Sequence, residues 1–213
     1  MNITIRPETE NDHRVVEELT RAAFWNLYVP GCNEHYLVHR MRTHADFLTE
    51  LNVVAEVEGR VVGSIMYTRS SLVGPNDERL ETVTFGPVSV LQEFQRRGIG
   101  SALIRHTAAA VKAQGIPAII IFGNPSNYVS LGFVGSKRFH ISMPDGTFPA
   151  SMLVLPFRED LLINNRWRFF ESDVFTFSND DAEEYDKQFP PLEKSYRPSQ
   201  ELFNIISRSF IQE

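Results

Sequence analysis

Cys32 is the only cysteine in 213 residues, so no internal disulfide can form, and a reducing, cytoplasmic setting is the expectation. Basic residues are the minority charge, 21 Lys and Arg against 27 Asp and Glu, a formal net charge of −6. That balance argues against a nucleic-acid groove as the main function, because phosphate backbones are held by clustered Lys and Arg. No apolar run approaches the ~20 residues a membrane-spanning helix needs. The opening MNITIRPETENDH lacks the basic-then-apolar pattern of a secretory leader. Neither a membrane nor a nucleic acid is expected as a partner. Internal repeats and low-complexity tracts are missing too. No G-x-x-x-x-G-K-[ST] is present, which removes a P-loop, and the one G-x-G lacks the third glycine of a dinucleotide fingerprint.

The apolar fraction, 42 %, suffices for a sizeable core, and the length fits one large domain or a domain with an appendage. Asn2–Arg6 alternates as a first strand. TENDHRVVEELTRAAF places Val15, Val16, Leu19, Ala22 and Ala23 on one helical face. YVPGC breaks that helix, and NEHYLVHRMR reads as a shorter second one. Val53–Glu58 and Arg60–Thr68 read as a hairpin joined by EGR, followed by a long strand over about Leu80–Val90. A helix from Gly98 to about Gln114 carries a stripe of Ile99, Ala102, Leu103, Ala110 and Val111, and Gly115 and Pro117 stop it. AIIIF, Ala118–Phe122, is apolar throughout, as a strand covered on both faces is. Strand, helix and strand in that order imply a parallel pair. SNYVSLGF offers one or two helical turns before a further strand at SMLVL.

GPVSVLQEFQRRGIGSALI, residues 86–104, is the informative stretch. A helix leaves its first N–H groups unpaired, and its dipole places partial positive charge there. Gly98 and Gly100 let a bulky anion approach the backbone, while Arg96, Arg97 and Ser101 add charge and a hydroxyl. The same residues equally suit a plain turn with solvated arginines. Upstream, Pro87 cannot donate to a ladder, so a bulge or splay is expected at Gly86–Pro87. Splayed strands leave backbone groups free for an extended ligand.

Taken with NPSNYVSLGF downstream, this stretch resembles the GNAT N-acetyltransferase superfamily. Gln95–Gly100 matches its Q/R-x-x-G-x-G/A acyl-CoA signature, and Tyr128–Phe133 matches its Y-x-x-x-G-F element. The resemblance runs from Asn2 to about Phe157. It implies an α/β (α+β) fold whose central mixed, mostly antiparallel sheet contains a splayed parallel strand pair and is flanked by helices. It also implies direct transfer of an acetyl group from acetyl-CoA to a primary amine of a small molecule or protein, without a metal. The pantetheine arm would pair with backbone at Val88, Ser89 and Val90. The diphosphate would rest on the turn formed by Gln95, Arg96, Arg97, Gly98, Ile99, Gly100 and Ser101. Asn124 would bond the pantetheine or cap the short helix. Tyr128 would protonate the departing thiolate or merely cover the coenzyme, and an N–H near Val88 would face the oxyanion. A non-catalytic acyl-CoA-binding regulatory module would share these features. A nucleotide-binding α/β domain would instead take NAD or ATP.

An alkylammonium must lose a proton before it attacks, and its pKa in water is ~10, so a base is needed. Glu34, His35 and Glu81 are the candidates, and near the expected bulge the chain carries Thr84. His35 and His39 stand i, i+4 with His44 nearby, but a zincin would need Glu where Tyr36 stands. Cys32 with His35 would permit an acyl-enzyme, although a half-buried thiol serves as well. Residues 1–157 form the expected acetyltransferase domain. Residues 158–213 form an aromatic-rich extension, docked on the domain or on the second subunit of a homodimer. Its Trp167, Phe169, Phe170, Phe175 and Phe177 would pack a core, roof the acceptor site or make that seam. The acidic balance fits a cationic acceptor such as a polyamine, an aminoglycoside or a protein N-terminus.

Overall fold

Alternation at Ile3 and Ile5 starts the chain as β1 (Thr4–Pro7), which pairs antiparallel with β2 (Val53–Val57) in the computed structural model, where residues 1–212 are described. Between them lie α1 (His13–Phe24) and α2 (Glu34–Met41). The buried side of α1 differs from the expected stripe. Val16, Leu19, Thr20 and Phe24 are buried, whereas Val15 and Ala22 are exposed. The difference comes from two buried charges, Glu17 and Arg21, which turn inward because each has a partner. Arg42 Nη1 lies 2.7 Å from Glu17 Oε1, and Arg21 Nε lies 2.6 Å from Asp186 Oδ1.

Two strands expected to be continuous are each broken. Arg60–Thr68 divides at Met66 into β3 (Arg60–Ile65) and β4 (Tyr67–Val73). The segment expected over Leu80–Val90 divides at Gly86–Val88 into β5 (Arg79–Phe85) and β6 (Ser89–Val90). The breaks face each other, with Gly86 N–H donating to Met66 C=O at 3.0 Å. Above that bond β3 pairs with β6, and below it β4 pairs with β5. One ladder thus forks into two sheets at the level where Pro87 has no N–H to donate.

After β6 come α3 (Ile99–Ala113), β7 (Ala118–Phe122) and α4 (Pro125–Tyr128). The chain continues through β8 (Val134–Gly135), β9 (Ile141–Ser142), β10 (Met152–Pro156), α5 (Glu159–Leu162) and β11 (Trp167–Phe170). It closes with α6 (Asn179–Asp186) and α7 (Pro198–Ser207). One sheet has the order β1-β2-β3-β6 and the other β8-β10-β7-β5-β4-β11-β9. The fold is therefore mixed α/β, mostly antiparallel. The parallel pair β5·β7 touches in register only at Val83↔Ile119, so the two strands part company beyond it.

Successive side chains of β7 enter opposite cores, as its unbroken apolar run requires. Ile119 and Ile121 join Ile99, Leu103 and Val111 of α3, while Ala118 and Ile120 join Trp167 and Phe169 of β11. Helices α1 and α2 cover the other face, against Val54, Val61 and Met66.

The sheet continues past residue 157, because β11 pairs antiparallel with β4 at Phe169↔Leu72. Trp167 and Phe169 are buried there, and each buried ring contributes about 1.5–3 kcal/mol. Residues 186–193 beyond β11 reach the same chain's α1 and the loop after it. Arg21 grips Asp186 through Nε and Nη2, at 2.6 and 3.1 Å, and Asn26 Nδ2 donates to Glu193 C=O at 3.0 Å. Among the described residues no helix is long and apolar enough to cross a membrane.

Candidate functional site

The fork in the sheet opens a cleft of about 590 Å³ between β6 and the end of β7. On one side, Arg96 (φ +58°) and Gly98 (φ +83°) adopt left-handed backbone and swing the chain into α3. The first intrahelical bond of α3 is Ala102 N–H to Gly98 C=O, 2.9 Å. The N–H groups of Ile99, Gly100 and Ser101 precede it and have no acceptor within the helix. A side chain on Gly100 would begin 3.7 Å from Val88 Cγ1 and 3.8 Å from Val90 Cγ2, across the mouth of this cradle. The protein would accept that Cβ without a clash, but a ligand lying on the amides would not.

Of the coenzyme contacts expected from the sequence, Val88, Val90, Gln95, Arg96, Gly98, Ile99, Gly100 and Ser101 line the cleft. Gln95 Nε2 also donates to Val90 C=O at 3.0 Å, tying the turn to β6. Three others point elsewhere. Ser89 is buried beneath the sheet, its Oγ donating to Thr20 Oγ1 at 3.0 Å. The Arg97 guanidinium lies 5.6 Å from the Phe94 ring centre, outside the cleft lining. Asn124 caps α4, its Oδ1 accepting from Ser126 N–H at 3.1 Å and Ser126 O–H at 2.9 Å.

Tyr128 enters from the opposite wall, against Phe133 (centroids 5.6 Å) and Phe85 (6.0 Å). Its ring needs Gly123, where a Cβ would sit 2.5 Å from Tyr128 Cε2. Burial raises the phenol above its ordinary range, so it stays protonated and can donate. Two carboxyls share this cleft. Glu34, at the start of α2, is half-buried; burial pushes it up to about 7 against the opposing pull of the Asn33 N–H, 3.0 Å from Oε2. Glu171, just after β11, is also pushed up to about 7 by lost hydration, although its side chain is open to solvent. Thr84 adds a buried hydroxyl with no hydrogen-bond partner among the described residues.

Sequence reasoning missed Glu171, which carries no local signal because it arrives through the pairing of β11 with β4. Phe175, one of the aromatics expected to pack a core, roof the acceptor site or make a seam, lines the cleft. Glu81 is placed elsewhere, exposed on a separate shallow depression with Arg69 3.7 Å away. His35, His39 and His44 diverge, facing Asp186 (3.0 Å), Glu17 (3.1 Å) and Asp173 (2.7 Å) respectively. Cys32 Sγ does lie 3.4 Å from His35 Nδ1. Burial nevertheless raises its thiol well above the usual range, which keeps it from acting as a thiolate nucleophile.

A family model described as acetyltransferase (GNAT) family matches residues 21–137. The uncharacterized N-acetyltransferase YjhQ of Escherichia coli K12 is 31 % identical over 97 residues, covering 44 % of this chain and 53 % of that protein. The match to YjhQ therefore spans about half that relative's length. The uncharacterized N-acetyltransferase YhbS of E. coli K12 is 27 % identical over 129 residues, 61 % of this chain and 72 % of YhbS. Among solved structures, a GNAT family acetyltransferase from Brucella melitensis in complex with acetyl-CoA superposes with a TM-score of 0.64 at 26 % identity. That match covers 82 % of this chain and 99 % of the other. E. coli YhbS in complex with CoA superposes with a TM-score of 0.70 at 20 % identity over 84 % of this chain and 94 % of YhbS, a likeness of fold.

Proposed function

This chain belongs to the acetyltransferase (GNAT) family, and from that premise we propose that it moves an acetyl group from acetyl-CoA directly to a primary amine. The observation that carries the proposal is the cradle at Ile99–Ser101. Its N–H groups have no acceptor within the helix, and the residues that carry them line one cleft together with Val88, Val90, Tyr128 and two carboxyls. Relatives of this fold carry acetyl-CoA or CoA in their structures.

In this reading the diphosphate rests on the start of α3, with Arg96 supplying charge at its edge. The pantetheine arm runs along the open backbone side of Val88–Val90. Ser89 contributes only main chain there, since its hydroxyl is spent on Thr20. Asn124 shapes the cleft through its cap on α4.

Glu34 takes a proton from the ammonium. It is preferred over Glu171 because the latter's exposure to water weakens its hold on a charged amine. The amine nitrogen then attacks the thioester carbonyl, forming the C–N bond, and the C–S bond breaks. Tyr128 gives its proton to the departing thiolate and regains one from the nitrogen, which ends as a neutral amide, while the N–H of Val88 faces the developing oxyanion. Positioning supplies much of the rate.

The test is thiol release from acetyl-CoA across an amine panel, by the wild type and by Tyr128→Phe. Slow turnover with undiminished coenzyme affinity supports the enzyme. Equal turnover removes Tyr128 as the acid. Coenzyme binding without thiol release from any amine favours the non-catalytic module.

A further inference from the structure

Beside the coenzyme cleft lies a second cavity of about 820 Å³, within the range of small-molecule sites. The two share Leu27, Tyr28, Phe122, Gly123 and Asn127, so they lie side by side with these residues at their common border. Its far wall is α7, through Leu202, Phe203 and Ile206, and its floor is the loop between β9 and β10. The Tyr28 ring stacks on Phe203 with centroids 4.7 Å apart and planes at 27°, which joins α7 to the catalytic side.

Among the described residues lining this chamber only Asp145 is charged, and its Oδ1 is already taken by Thr147 N–H at 2.9 Å and Thr147 O–H at 2.7 Å. Asp145 can therefore pair with one ammonium at most, and a polyamine or aminoglycoside would leave its other ammonium groups here unpaired, at a desolvation cost. The carboxyls of the acceptor half, Glu34 and Glu171, lie in the first cleft and not in this chamber.

We propose that the chamber holds the apolar body of the acceptor, so that the substrate class is a primary amine carried on a long alkyl or aromatic body. This rests on the transfer reading above, with the amino group at the common border by Tyr28 and the tail against α7.

The experiment is calorimetry of the n-alkylamines from ethylamine to decylamine on the CoA-loaded protein and on Leu202→Arg. Leu202 is 50 % exposed, so the variant keeps its fold while setting a guanidinium over the chamber. Affinity is expected to tighten by about fourfold for each added methylene until the chamber is full. In Leu202→Arg that dependence disappears, while CoA affinity is retained. Ser207→Trp, which narrows the same wall with an uncharged side chain, weakens decylamine binding as well. Affinity that is flat along the series, or equal in all three proteins, overturns the proposal. So does a dimer in sedimentation that covers α7 and leaves octylamine unbound.

Thiol release on the same series separates the two readings. Octylamine that binds, and is lost in Leu202→Arg, but releases no thiol sinks the transfer and leaves the chamber assigned. Release with ethylamine as efficient as with octylamine sinks the chamber and leaves the transfer.

Discussion

The two halves of the cleft are built in different ways. The proposed coenzyme half is one continuous stretch, Val88–Ser101, and the groups proposed to work there are main-chain amides exposed by a turn. The acceptor half draws Tyr28 from the α1–α2 loop, Glu34 from α2, Glu171 from the end of β11 and Phe203 from α7. Its working groups are side chains brought together across most of the chain. A backbone site announces itself in sequence because only glycine tolerates the conformation or the close approach. A side-chain site assembled by tertiary contacts leaves no such pattern.

Substitutions should respond accordingly, each half failing in its own way. Tyr128, which sits where the halves meet, gives the largest effect: Tyr128→Phe lowers kcat by about 1,000-fold, within the general acid–base range, and leaves CoA affinity unchanged by calorimetry. Gly100→Phe comes next. It weakens CoA binding by about 100-fold, roughly 2.8 kcal/mol; its Cβ meets nothing nearer than 3.7 Å, and circular dichroism checks that the variant with the full ring is folded. An unaltered Kd in a folded Gly100→Phe variant would refute the cradle. The same residues also keep the halves apart: Gly100→Phe should not change alkylamine binding measured without coenzyme.

The same division explains what the sequence discloses of the fold. Pro87 marks the break in the β5–β6 strand, since a missing N–H is visible in one letter. The facing break at Met66 has no local mark, because it exists only where Gly86 N–H reaches Met66 C=O. AIIIF declares a strand covered on both faces, and β7 is one. The burial of Glu17 and Arg21 is invisible to hydrophobic periodicity, because their partners, Arg42 and Asp186, lie on α2's end and on α6. The turn of Gln95–Ser101 was legible for the backbone reason, and Tyr128 only through the family resemblance. Glu171 was not, since β11 had first to find β4.

The two carboxyls offer a sharper cut within the acceptor half. A base whose carboxyl is pushed up to about 7 is protonated, and idle, below that pH. The kcat/KM profile should therefore climb about tenfold per pH unit towards 7 before the limb bends. Glu34→Gln flattens that limb and lowers the plateau, whereas Glu171→Gln keeps the limb. A profile unaltered by Glu34→Gln but flattened by Glu171→Gln would exchange their roles.

The smallest effect concerns what holds the acceptor half in place. His35 is fully buried and lies 3.0 Å from Asp186, the residue that fastens α6 to Arg21. Burial, outweighing the neighbouring Asp186 charge, lowers its pKa to about 4 from an ordinary 6.5. The unfolded chain then takes up the proton first, so stability falls as pH drops from about 6.5 towards 4 and is unaffected by this group above 6.5. Denaturant unfolding of the wild type and His35→Gln isolates the contribution from that of the carboxyls, which are common to both. The stability difference between the two should be level above pH 6.5. Below it the difference should shift against the wild type by at most about 1.4 kcal/mol per unit. A level difference down to pH 5 would mean that the ring takes its proton as easily inside the fold as outside. The α6 clasp would then be an ordinary ion pair, and the acceptor half would be no more sensitive to acid than the backbone cradle opposite it.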